Sequence, residues 1–171
     1  LLNTADLFDG ANGDVIGAFP AVAVNSAGVL YVAGFGNKIF TLDPATGEGT
    51  QIGTADVSGG DLFFAPTGDN GAEELWIVNR TNASITRAFD QMNGPVFPDI
   101  DEMYGAELLP NGNVLVAEGD GDGEDGFFEV DLSNGDIVTT YDVDLVMLNG
   151  DLAGKCTDIA PAPAPNSMVL D

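Results

Sequence analysis

Histidine is absent from this 171-residue chain, and cysteine occurs once, at Cys156. Catalysis through a histidine base is therefore excluded. So are an internal disulfide and a zinc centre built from Cys and His. Cations are almost as scarce, with 4 Lys and Arg against 28 Asp and Glu and a formal charge of -24. That surface offers no basic face to a phosphate backbone, which excludes unassisted nucleic-acid binding. No apolar run reaches the ~18 residues of a membrane helix, so no membrane span is expected.

What is present points to a folded, turn-rich chain. The hydrophobic fraction is 44%, too high for a disordered acidic tail, and there are 23 glycines. The length suits one domain with a sizeable core. Short apolar runs rich in β-branched and aromatic residues alternate with clusters of Gly, Asn, Asp and Pro, the pattern of many short strands. The expected fold is all-β, with less than ~10% helix.

Four segments share one hairpin pattern, in which a strand runs into Asp or Asn and a second strand begins after a glycine four residues on. They are 7–19, 38–53, 75–89 and 127–141, with landmark pairs Asp9/Gly13, Asp43/Gly47, Asn79/Ala83 and Asp131/Gly135. The acid or amide bonds the backbone ahead of it, and glycine takes the positive-φ position. Ala83 breaks the glycine rule, so its turn is expected to be strained or of another type. A further strand precedes three hairpins, at 29–33, 61–65 and 113–118, and each unit opens with a strand such as 21–24 or 106–109. The landmarks recur about every 35 to 50 residues, the size of a propeller blade.

The pattern resembles the broad superfamily of β-propeller repeat proteins, of the kind with strand–DPxTG–strand hairpins in bacterial surface proteins. DPATG at 43–47 is the closest match and DLSNG at 131–135 the next. The resemblance implies a β-propeller-like repeat of four-stranded antiparallel blades, about four in number. The units fall at about 20–53, 54–97 and 98–155, and residues 1–19 and 156–171 share the fourth. The alternative for the C-terminal part is a polyproline linker through Pro161, Pro163 and Pro165. A propeller fold carries no activity by itself.

The most specific local feature is EGDGDGEDG at 118–126. Glu118, Asp120, Asp122, Glu124 and Asp125 put five carboxylates in eight residues among glycines, as a flexible oxygen cage for Ca2+ requires. The run departs from the EF-hand loop, with Asp125 where that loop wants glycine, and the alternative is a solvated acidic connection. Asp99, Asp101 and Glu102 read as an exposed link between blades. Asn79-Arg80-Thr81 and Asn82-Ala83-Ser84 are adjacent glycosylation sequons on an expected hairpin tip. Tyr31, Phe63, Phe64, Trp76, Phe127 and Phe128 are expected to pack blade on blade. Cys156 is expected to be a small buried side chain.

These features favour a non-catalytic extracellular or cell-surface module, structural or adhesive, that builds a surface layer or filament. Self-association through the terminal strands is expected, because half-blades expose unpaired edges. The alternatives are a calcium-dependent propeller hydrolase or lyase and a ligand-binding propeller. High acidity suits a saline setting, where salt screens self-repulsion.

Overall fold

The computed structural model describes residues 8–11, 21–34, 36–57, 60–67, 71–89, 94–97, 99–100, 102–119 and 126–142. Among them no α-helix forms and the chain is nearly all β, in three sheets. The first is an antiparallel meander of β2 (Ala21–Val24), β3 (Leu30–Gly34), β4 (Lys38–Leu42) and β5 (Glu48–Thr54). A two-residue strand, β1 (Phe8–Asp9), adds to the outer edge of β5 in parallel. The middle sheet holds β6 (Leu62–Ala65), β7 (Glu74–Asn79) and β8 (Ser84–Arg87). The third is a meander of β9 (Met103–Leu108), β10 (Val114–Glu118), β11 (Gly126–Asp131) and β12 (Asp136–Asp142). The architecture is β-propeller-like, and no closed ring forms among the described residues.

Period-two alternation explains how the sheets stack. Along β7, Leu75 and Ile77 join Ala21, Ala23, Ala33, Ile39 and Leu62 in a core against the first sheet. Trp76 and Val78 point the other way, into a core with Phe63, Ile85, Phe97, Met103, Val114, Val116 and Val130 against the third. A strand buried on both faces loses polar alternation, which is why ELWIVN reads as a continuous apolar run. β2 shows the other regime, with Ala21 and Ala23 buried and Val22 and Val24 exposed. Its small inward residues let β2 lie close to β6, while β6 and β7 lie against β9.

The expected aromatic packing holds at most positions. Phe63 stacks near Trp76 at 6.4 Å between ring centres, and Tyr31 meets Phe64 edge-on at 4.9 Å. Phe128 packs against the core between the middle and third sheets. Phe127 lies half-buried on the opposite face of β11.

The hairpin chemistry is as the landmarks predict. Asp43 Oδ1 accepts from Ala45 N at 2.8 Å, and Asp131 Oδ1 accepts from Ser133 N at 2.8 Å. Gly47 and Gly135 close their turns at φ 78° and 79°. Ala83 occupies the same place at φ 45°, so this turn keeps the left-handed geometry and strains a non-glycine residue to do so.

Two features differ from the sequence expectation. Asp9 lies within β1, paired in parallel with Gly49 at the edge of the first sheet, and Gly10 N donates to Gly49 O at 2.7 Å; a turn follows at Gly10 and Ala11, and Gly13 lies outside the described residues. In the middle unit no described strand precedes β6, so β6 itself takes the place beside β2 and β9. The sheet extends on its other side, where Ile85 N donates to Pro95 O and Phe97 N to Ala83 O. Burial of Phe97 beside Ala83 and Ile85 holds that segment there. Of the shared terminal blade expected from 1–19 and 156–171, residues 1–7, 12–19 and 156–171, Cys156 among them, lie outside the described residues.

Candidate functional site

One end of the stacked sheets gathers the turn after β7, the residues leading into β9 and the end of β10. Glu118 pairs with Met103 across a bulge, and Gly119 N donates to the Glu102 carbonyl at 3.3 Å. The acidic run therefore starts beside Glu102. Glu118 is half-buried at its base, while Asp120, Asp122, Glu124 and Asp125 lie outside the described residues. Among the described residues no three acidic or cysteine side chains gather closely enough to hold a metal ion.

Glu102 is part of a built cluster. Its Oε2 accepts from Arg80 Nε at 2.9 Å, Arg80 Nη2 at 2.6 Å and the Tyr104 hydroxyl at 2.7 Å. The Arg80 guanidinium lies 4.2 Å from the Tyr104 ring centre. The tyrosine hydroxyl and then the arginine hold the Glu102 carboxyl below the usual range. Burial and the bond to Glu102 push the Tyr104 phenol up, and the Glu102 bond pushes Arg80 up. Each group is thus held in its ordinary charge state at neutral pH. Both side chains of the ion pair are about one-third exposed, so it contributes at most about 1 kcal/mol. Glu102 is therefore an interblade tie. Asp99 is exposed, and Asp101 lies outside the described residues.

A second cluster sits on the face of the third sheet that is turned away from the middle one. Glu129 is buried in mid-strand, where its Oε1 accepts from Asn113 Nδ2 at 2.5 Å and Asn111 Nδ2 at 2.8 Å. Its Oε2 accepts from the Tyr141 hydroxyl at 3.1 Å. The Asn113 and Asn111 amides lower the Glu129 pKa, and the bond to Glu129 raises that of Tyr141. The other buried acid among the described residues, Asp61, is 1% exposed. Its two oxygens accept from Leu62 N at 2.7 Å and Ala106 N at 2.9 Å, joining β6 to β9.

The sequence pattern singled out none of these three groupings. A signal existed for the first: with 4 Lys and Arg among 28 acids, each arginine meets a carboxylate. Arg87 indeed pairs with Glu74 at 3.3 Å and lies over Trp76. The sequon asparagines are placed differently from each other. Asn79 is 9% exposed and caps its turn, whereas Asn82 is exposed.

No family model matches the sequence, and no curated protein does. Among solved structures the chain is similar to Kuenenia stuttgartiensis hydrazine synthase, with a TM-score of 0.53 at 15% identity over 80% of this chain. The chain spans 42% of the length of that protein chain. At that identity the likeness shows the fold alone, which is all-β and β-propeller-like.

Proposed function

We propose that this chain is a non-catalytic structural or adhesive β-propeller module at the cell surface or outside the cell, built into a surface layer or filament. The supporting observation is the state of its polar clusters. The Asp43, Glu102, Glu129 and Asp131 carboxyls are held low, and the Tyr104 and Tyr141 phenols are held high. Proton-transfer catalysis wants the reverse, a group poised near the working pH. These side chains act as struts between blades and within hairpins.

Assembly runs through the terminal strands, as half-blades completed within one chain or between neighbours. Ca2+ binds the run from Glu118 to Asp125 and stabilises the subunit, and screening of the -24 charge supports a saline, extracellular setting. Light scattering and electron microscopy of the purified chain, with and without calcium, test the assembly. Ordered polymers are expected, and a strict monomer under all conditions defeats the scaffold reading. For the metal, calcium at a hundredfold excess over Kd adds about 2.7 kcal/mol to stability. The double variant Asp120→Asn, Asp122→Asn should lose most of that rise in melting temperature. An unchanged rise would leave only general screening.

A further inference from the structure

The turn between β7 and β8 carries two sequons end to end, and the fold treats them in opposite ways. Asn79 is nine-tenths buried, with its Nδ2 donating to the Asp56 carbonyl at 3.3 Å. Its Oδ1 accepts from Thr81 N at 3.1 Å and Asn82 N at 3.3 Å, so the carboxamide is engaged at both ends. A saccharide on that nitrogen would have to occupy space filled by the backbone near Asp56. Asn82 stands exposed at the corner of the turn. Its Oδ1 accepts from the Ser84 hydroxyl at 2.5 Å, which orients the carboxamide. Its Nδ2 has no partner among the described residues.

We propose that Asn82, and not Asn79, carries an N-linked oligosaccharide in the folded protein. The inference rests on the extracellular reading above. In the transfer, the Asn82 Nδ2–carbon bond forms at the anomeric carbon of a lipid-pyrophosphate-linked oligosaccharide. The anomeric carbon–oxygen bond breaks, the lipid pyrophosphate leaves with the electron pair, and one amide proton passes to a base. Ser84 is buried at the start of β8, so transfer precedes closure of the hairpin. A chain modified at Asn79 could not then restore the turn, and it is lost from the folded pool.

The test is to secrete the full chain from a host with an N-glycosylation pathway and collect the folded fraction. Mass is measured before and after an amidase that removes N-glycans and converts the acceptor Asn to Asp. Glycan mass is expected, with the conversion at Asn82. Two variants separate the sequons while leaving both asparagines in place. Ser84→Ala should remove the whole glycan mass, and Thr81→Ala should leave it unchanged. Conversion at Asn79 in the folded fraction overturns the proposal, as does a wild-type chain secreted without glycan. Either failure is distinct from failure of the scaffold reading, because assembly is scored separately on the enzymatically deglycosylated chain.

Discussion

Between β11 and β12 the chain turns through Asp131 and Gly135, whereas between β7 and β8 it turns through Asn79 and Ala83. Both turns place a left-handed residue four positions after the capping side chain, with Gly135 at φ 79° and Ala83 at φ 45°. The difference lies in what surrounds them. Gly135 is in a hairpin at the outer rim of the third sheet, where local turn chemistry decides the residue. Ala83 is buried in the core with Ile85 and Phe97, so its methyl packs where glycine would leave a gap. A left-handed alanine costs about 1 kcal/mol, and burying one methyl offsets about 0.8 kcal/mol of that. At Ala83, burial and turn preference oppose each other and are nearly balanced; at Gly135, turn preference and the neighbouring Pro95 both disfavour a side chain.

The sharpest way to break this comparison is to remove packing from each sheet. Ile77→Ala, at the fully buried centre of β7, should cost about 2–5 kcal/mol in denaturant unfolding. Ile137→Ala, half-buried on the outermost strand, should cost about 1 kcal/mol. Equal losses would mean the middle sheet is not the pillar of the fold. Asp61→Ala comes next. It leaves the Leu62 and Ala106 amides without their acceptor, for a loss of about 3 kcal/mol. Asp61→Asn, which keeps one carbonyl oxygen, should recover part of it.

Smaller effects test the turns themselves. Gly135→Ala should destabilise by about 1–2 kcal/mol, since its new methyl is strained and would also approach Pro95. Ala83→Gly should stay within about 0.5 kcal/mol of wild type, because relief of strain and loss of the methyl nearly cancel. A large loss from the second change would show that packing outweighs strain there.

The smallest effect is in pH dependence. The folded-state pKa of Glu129 is depressed by Asn113 and Asn111. Its stabilisation is therefore present above the ordinary glutamate pKa of about 4.3, and is lost as pH falls through the lowered value. Relief of the general negative repulsion on acidification affects wild type and Glu129→Gln almost equally. Urea unfolding across the acid range should therefore show a shallower decline for the variant. Parallel curves would remove Glu129 from the account of acid sensitivity.

The parts of the fold that were legible depend on neighbours within a few residues. Asp43, Asp131 and Asn79 cap the amides two positions ahead. What could not be read depends on partners far along the chain. Asp61 reaches Ala106, and Arg80 reaches Glu102. Glu129 follows Phe128 in an alternating strand and would be taken for a solvent-facing acid. It is buried because Asn111, Asn113 and Tyr141 come to it from a turn and a neighbouring strand.

By itself, then, the sequence determined the strand-and-turn grammar, the all-β class and the exclusion of histidine chemistry, since these follow from residue type and local spacing. Tertiary structure alone decided that Pro95–Phe97 extends the middle sheet and that β1 joins β5 in parallel. It also decided that Asn79 and Asn82, identical in side chain and three residues apart, meet opposite surroundings. The physical reason is shared. Backbone pairing and burial depend on which surfaces meet in space, and no spacing within one hairpin encodes what packs against it from the next.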